Sequence, residues 1–274
     1  MNRVTRHETR KISIRPAAPP QQQSFEDHLA VEEPLEIRVH GEPVAVTMRT
    51  PGDDPALAAG FLFSKGLLRS PREISSVRHV EDPRHPELRN VLNFELAAGS
   101  RPDLSALRRI AFPAGALGVC GKASVEQVKG RVRPVPSKMR VRLDVIYGLG
   151  GSLRKARALF EKTGGLHAAG IFDEHGVLHT LHEDVGRLNA VDKAIGHMFL
   201  QDRLPLDHHI LMVSGRARFE VVHKAILAGI PMVCTAMVPT SLAVEAARDC
   251  GVTLLGFFRP DDFNVYTHAE RIEV

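Results

Sequence analysis

The sequence predicts an α/β protein: a three-layer α/β/α sandwich in its second half, preceded by a smaller α+β lobe. Three features carry this. Beyond residue 150, helical segments alternate with short strands that are apolar throughout, which calls for a mostly parallel sheet covered on both faces. Before residue 100, apolar residues recur instead with period two around turn residues, the pattern of half-buried strands. Between these regions, Arg131-Val132-Arg133-Pro134-Val135-Pro136-Ser137 reads as linker and sets a boundary near residue 140.

Residues 1–24 read as a disordered tail ending in Pro19-Pro20-Gln21-Gln22-Gln23. The lobe, 25–140, opens with a hairpin. Leu35–Val39 alternates, His40-Gly41-Glu42-Pro43 turns, and Val44–Met48 returns. A helix follows from Ala56 and stops near Gly66, and Val77–Val80 and Val91–Leu96 are further strands. Phe112–Ser124, with Gly115, Gly118 and Gly121, reads as a mobile loop around Cys120. The domain 141–274 then runs in order. It begins with a helix over Ser152–Lys162 and a hairpin of Ala168–Phe172 with Val177–Leu181, and continues with a helix over Arg187–His197. Next come a strand over Ile210–Val213, a helix over Arg216–Ala228, a strand over Pro231–Ala236, a helix over Ser241–Cys250 and a strand over Thr253–Phe258.

Composition narrows the function. The 274 residues suffice for a full core, and with 43% hydrophobic and 25% charged residues the chain is not disordered over most of its length. No apolar run approaches the roughly 18–20 residues of a membrane span, and the N-terminal stretch lacks the apolar core of a secretory signal. Three cysteines (Cys120, Cys234, Cys250) make no disulfide framework, so a reducing cytoplasm is expected. A formal charge of +4 is too mild to imply nucleic-acid binding. Ten Lys/Arg nevertheless lie between Arg101 and Arg142 against Asp103 and Glu126. They form either a solvated basic face or a docking surface for an acidic protein or a phosphate-bearing ligand. Phe112 is the one aromatic among them, and the lack of regular interleaving argues against a single-stranded nucleic-acid groove.

Cys120 is the first chemical candidate: its glycine neighbours admit close approach, and Lys122 favours the nucleophilic thiolate. Cys234 and Cys250 read as small buried hydrophobes. Glu183, Asp184 and Arg187, with Asn189, Asp192 and Lys193, are more polar than a strand-to-helix junction needs, so they read as helix caps or as a polar ligand site. Ser214-Gly215-Arg216 and Pro239-Thr240-Ser241 leave strands and open helices, a setting that suits either capping or a phosphate. Phe257, Phe258, Arg259, Pro260, Asp261 and Asp262 form either a turn or an aromatic and polar face for a purine. The fourteen histidines show none of the spacings of a zinc site, so no metal site is expected.

The blocks LGVCGKAS (117–124), TGGLHAAGIFD (163–173), HEDVGRLNAVDKAIG (182–196), VSGRARFEVVHKAILAGIPMV (213–233), PTSLAVEAARDCGVTLLGFFR (239–259) and NVYTHAERI (264–272) resemble the FdhD family of sulfur carriers required for formate dehydrogenase activity. Residues 32–68 share the likeness. The resemblance implies a cytidine-deaminase-like core without deaminase zinc chemistry, and a homodimer. It also implies a route for sulfur: persulfide sulfur passes from a cysteine desulfurase to Cys120 and on to the molybdenum or tungsten bis-(molybdopterin guanine dinucleotide) cofactor. Phe257–Asp262 would help to bind that cofactor. Two departures stand out. Family members often have Cys-x-x-Cys in the loop, whereas this chain has Leu117 in the first position, which keeps open a holding role without sulfur chemistry. Pro260-Asp261-Asp262 replaces the common Gly and basic residue after the Arg.

Overall fold

The computed structural model describes residues 2–13, 21–81, 89–100, 134–259 and 262–274. Its first element departs from the expected tail. β1 (Val4–Ser13) and β2 (Gln21–Ala30) pair antiparallel from Val4↔Ala30 to Ser13↔Gln21. Both strands are polar on both faces and largely exposed, so no apolar alternation marks them in sequence. A two-stranded ribbon is marginal in water by itself. This one is tied at its base, where Arg3 meets the Asp53 carboxylate at 3.0 Å.

β3 (Glu33–Val39) and β4 (Glu42–Arg49) form the expected hairpin, with His40 and Gly41 both at positive φ. With β5 (Ile74–His79) and β6 (Val91–Leu96) they make a four-stranded sheet in the order β4-β3-β6-β5. Leu35, Ile37, Leu92 and Phe94 pack from it onto Leu57, Ala58 and Leu62 of α1 (Asp54–Ser64).

The second body starts earlier than the linker reading places it, because Val135 and Met139 already sit in its cores. β7 (Val141–Arg142) pairs with β14 (Ile272–Glu273), the last strand. The helix expected over Ser152–Lys162 is two helices, α2 (Leu143–Ala156) and α3 (Ala158–Thr163), interrupted at Arg157. Gly148, Gly150 and Gly151 obscure the start of α2 in sequence. Ile146, Leu149 and Leu153 nevertheless form its buried stripe.

A six-stranded sheet follows. From one edge it is built of β13 (Asn264–Thr267), β12 (Thr253–Gly256), β11 (Met232–Thr235), β10 (His209–Val213), β8 (His167–Asp173) and β9 (Leu178–Asp184). Only β10, β11 and β12 are mutually parallel. The sheet is therefore mixed, because the β8–β9 hairpin and the returning β13 both add antiparallel strands. Successive residues alternate between its faces. Ala169, Ile171, Leu211, Val213, Val233 and Leu254 pack with α4 (Arg187–Leu200), α5 (Phe219–Leu227) and α6 (Ser241–Asp249). On the opposite side, Ala168, Phe172, Ile210, Met212, Met232 and Leu255 pack with α2.

Lobe and sheet are locked together through α1 and α4. A Cβ on Gly60 would lie well under 3.0 Å from the Asp192 carbonyl, and one on Gly196 equally close to that of Ala56, so only hydrogen fits where the helices cross. Phe199 of α4 completes the core of the lobe.

Candidate functional site

Because β10, β11 and β12 are parallel, their carboxyl ends lie at one edge of the sheet. The antiparallel pairings Val213↔Ala169 and His167↔Asp184 bring the start of β8 and the end of β9 to the same edge. His167, Glu183-Asp184, Ser214–Arg218, Met237–Pro239 and Phe257–Arg259 thus gather from five segments. Open α/β sheets take their ligands at this edge.

The polar residues here fall into two groups. The first is spent on the framework. Glu183 accepts hydrogen bonds from the backbone N–H of Leu159 (2.9 Å) and Phe160 (2.8 Å), capping α3 rather than the helix that follows it in sequence. Asp184 is fully buried. It meets Lys193 Nζ at 2.7 Å and accepts from Gly186 N (2.7 Å), Asn189 Nδ2 (3.0 Å) and Thr50 N (3.2 Å). Lys193 also donates to Thr50 O (2.8 Å), and Asn189 to Met48 O (2.7 Å). These carboxylates, read from the sequence as helix caps or as a ligand site, fasten β9 to α3 and to the lobe through these bonds.

The second group is not consumed in this way. Arg187 is half-buried, and its Nε has no hydrogen-bond partner among the described residues. Burial lowers its pKa, and Arg218 and Arg216 lower it further, while Glu220 opposes them. Gly215 lies against it: a Cβ there would be 3.1 Å from Arg187 Cδ and 3.1 Å from His167 Nδ1. His167 is held below the usual imidazole range by burial, then by Arg187 and Arg157, against Asp184. Ser214 Oγ accepts from Ala168 N at 2.9 Å, the Thr235 hydroxyl donates to Gly215 O, and Arg216 is exposed.

At the β12 end, Phe257 and Phe258 diverge. Phe257 has φ +62, a left-handed backbone unusual for a bulky side chain. Its N–H bonds Met237 O at 3.0 Å. The Arg259 guanidinium lies 4.4 Å from its ring centre, and Phe257, Met237 and Val238 form an exposed apolar rim. Phe258 instead stacks on Phe263 (5.1 Å, 14°) and packs into the core beneath α2. Asp262 contributes its carbonyl to Arg259 N (2.9 Å). Among the described residues of this segment, Phe257 and Arg259 therefore present the stacking surface.

Cys120, Lys122, Pro260 and Asp261 lie outside the described residues. Cys234 and Cys250 are buried, and burial pushes the Cys234 thiol well above its ordinary pKa. Among the described residues no three His, Cys, Asp or Glu side chains converge as metal ligands, and no helix is long and apolar enough to cross a membrane. Sequence reasoning missed His167, Arg218 and the Met237-Val238 rim. Arg218 stands two residues beyond Arg216, a repeat that was there to be read. His167 was visible only as one of many histidines.

Fold and edge together define an α/β protein with a cation-rich site and an aromatic rim at the carboxyl ends of its parallel strands. The model of the FdhD/NarQ family matches residues 30–273, and the chain belongs to that family. Proteins named sulfur carrier protein FdhD are 46% identical over 251 residues in Mycolicibacterium paratuberculosis (89% of this chain, 91% of the relative). The one from Saccharolobus solfataricus is 40% identical over 249 residues (90% and 91%). The crystal structure of a candidate formate dehydrogenase accessory protein from Desulfotalea psychrophila shares the fold. Its TM-score is 0.74 at 24% identity, covering 98% of this chain and 99% of that one.

Proposed function

We propose that the protein is a cytoplasmic, homodimeric sulfurtransferase that serves a formate dehydrogenase. It takes persulfide sulfur from a cysteine desulfurase onto Cys120 and delivers it to the bis-(molybdopterin guanine dinucleotide) cofactor carrying molybdenum or tungsten. Membership of a family whose relatives are named sulfur carriers supports the role. The observation that carries Cys120 is the burial of Cys234 and Cys250, since a thiol inside a sheet or at a packed helix end cannot reach a macromolecular donor. The sheet, covered by α2 on one face and by α4, α5 and α6 on the other, supports a three-layer sandwich of the cytidine-deaminase type.

In the first transfer, the Cys120 thiolate attacks the terminal sulfur of the donor persulfide. The S–S bond of the donor breaks, its cysteine leaves as thiolate, and Cys120 becomes the persulfide with no net oxidation. In the second, the terminal sulfur leaves as sulfide and Cys120 returns to thiolate. The two electrons required come from oxidation of the reduced metal centre in the cofactor substrate. Phe257 and Arg259 would stack and hydrogen-bond the guanine, while Arg187, Ser214 and Arg216 would face the more polar part of the cofactor.

Leu117, where relatives often have a first loop cysteine, favours a second reading: a chaperone that holds the cofactor without sulfur chemistry. Incubation with a cysteine desulfurase and cysteine, followed by mass spectrometry, separates the two. Transfer predicts a one-sulfur increment on Cys120, absent from Cys120→Ser, together with loss of formate dehydrogenase maturation in that variant. A Cys120→Ser protein that still matures the enzyme would establish the holding role.

A further inference from the structure

Where the end of α1 meets α4 and α5, amines outnumber acids. Asp192 on α4 is buried, and Lys224 on α5 holds its carboxylate at 2.6 Å. Lys224 also donates to Ser64 Oγ (2.7 Å), the last residue of α1. Lys65 comes next in the chain and enters the same cluster without an acid of its own. Among the described residues it closes no ion pair, and its Nζ lies 5.5 Å from the centre of the Phe61 ring. The side chain is half-buried. From α5 it feels Lys224, and from α4 Asp192, which Lys224 already holds. His223, the residue before Lys224, is buried with its pKa lowered to about 4, so it is uncharged at neutral pH.

Two amines thus stand against one carboxylate, and burial disfavours carrying both charges. Lys224 keeps its proton, because a carboxylate and a hydroxyl lie within hydrogen-bond distance of it. Lys65 gives its proton up more readily: burial and then Lys224 lower its pKa, and Asp192 opposes them. An unpaired, partly accessible amine with a raised neutral fraction is a nucleophile. We propose that Lys65 is a covalent acylation site for a small activated acyl group, carried by an acyl phosphate or an acyl thioester. The Nζ lone pair attacks the acyl carbon. The bond from that carbon to the phosphate oxygen or thiol sulfur breaks with its electron pair, and the nitrogen loses a proton. The products are an amide and free phosphate or thiolate, with nothing oxidised or reduced. The amide is uncharged, so it ends the repulsion of Lys224 and leaves Asp192 paired. This inference does not depend on the sulfur-transfer reading.

The test treats the full chain with acetyl phosphate in one arm and with the acetyl thioester of N-acetylcysteamine in the other. Peptide mass spectrometry follows the rate at each lysine. At pH 7.5 Lys65 should acquire the acetyl group several-fold faster than Lys155 and Lys162, which are exposed. That advantage should shrink as the pH rises toward 10.5, the ordinary lysine value, where the exposed amines are neutral as well. Lys224→Met leaves Asp192 to Lys65 and should bring the ratio of rates down toward that of the exposed lysines. Circular dichroism checks that this variant folds, and the pH dependence of the wild type decides the matter if it does not. Preference for one donor identifies the source of the acyl group, and reaction with both retains the site. Reaction with neither overturns the proposal. So does Lys65 labelling at pH 7.5 no faster than Lys155 and Lys162, a ratio that does not fall with pH, or an unchanged ratio in folded Lys224→Met.

Discussion

Asp184 and Lys193 meet at 2.7 Å with neither side chain open to water. Removing one partner of such a pair leaves the other charge buried without compensation. Lys193→Met is therefore expected to lower stability by about 3–5 kcal/mol, read as a shift in the urea midpoint with little change in its slope. Phe257 answers to a different measurement. It is partly exposed, at positive φ and carries a stacked guanidinium. Phe257→Ala should weaken guanine nucleotide binding by about three- to tenfold, the range of an aromatic stack, and barely move the melting temperature. A large loss of stability with unchanged affinity would place Phe257 in the framework. The contrast shows what sequence conveys at this scale. Ser214 and Arg216 stood out as candidates because a strand end followed by a helix start marks them locally, and Phe257 because it closes an apolar strand beside an arginine. The structural use of Glu183 and Asp184 was legible only in part: capping was one of the two readings, but Glu183 caps the distant N–H groups of Leu159 and Phe160, and Asp184 reaches Thr50 as well as Gly186, Asn189 and Lys193 nearby.

At the scale of elements, glycine has two opposite meanings in this molecule. At Gly60 and Gly196 it lets α1 and α4 touch backbone to backbone. Alanine at either position meets carbonyl oxygens that cannot rotate away, so each substitution should cost at least the roughly 1–3 kcal/mol of overpacking and loosen the lobe from the sheet. Urea unfolding followed by both near- and far-ultraviolet dichroism checks this. Gly148 is the reverse case. It lies inside α2, and nothing among the described residues stands within 4 Å of its Cβ position. Gly148→Ala should stabilise by about 0.5–1 kcal/mol, because it reduces only the freedom of the unfolded chain. The same residue type explains why α2 was read nine positions too late. Glycine lowers local helix propensity, and the stripe of Ile146, Leu149 and Leu153 wins through tertiary burial. The parallel strands were legible from their unbroken apolar runs, whereas the ribbon of β1 and β2 carries no such signal.

For the molecule as a whole, buried imidazoles contribute a loss of stability in acid, which the raised pKa values of Asp192 and His208 oppose. His223 lies on α5 beneath Phe219, with ring centres 5.6 Å apart. Burial, with Lys224 and Lys65 adding to it, lowers its pKa to about 4 from 6.5. Burial also lowers those of His79, His167, His197 and His209. A histidine depressed in the folded state binds its proton more readily when unfolded. The unfolded chain therefore holds more protons between about pH 4 and 6.5, and stability rises with pH across that window. Asp53 does not confuse the measurement. Its carboxyl is held low chiefly by His182, 3.4 Å away, and its contribution is lost only below the ordinary aspartate range near 3.8. The wild type should accordingly lose stability from pH 7.5 to pH 5, His223 accounting for up to about 2 kcal/mol of it. His223→Gln, which cannot take up the proton, should remove that share and flatten the profile. Urea midpoints at half-unit pH intervals measure both. A variant whose profile runs parallel to that of the wild type would show that His223 is protonated equally in the folded and unfolded chains, and that the acid response arises elsewhere.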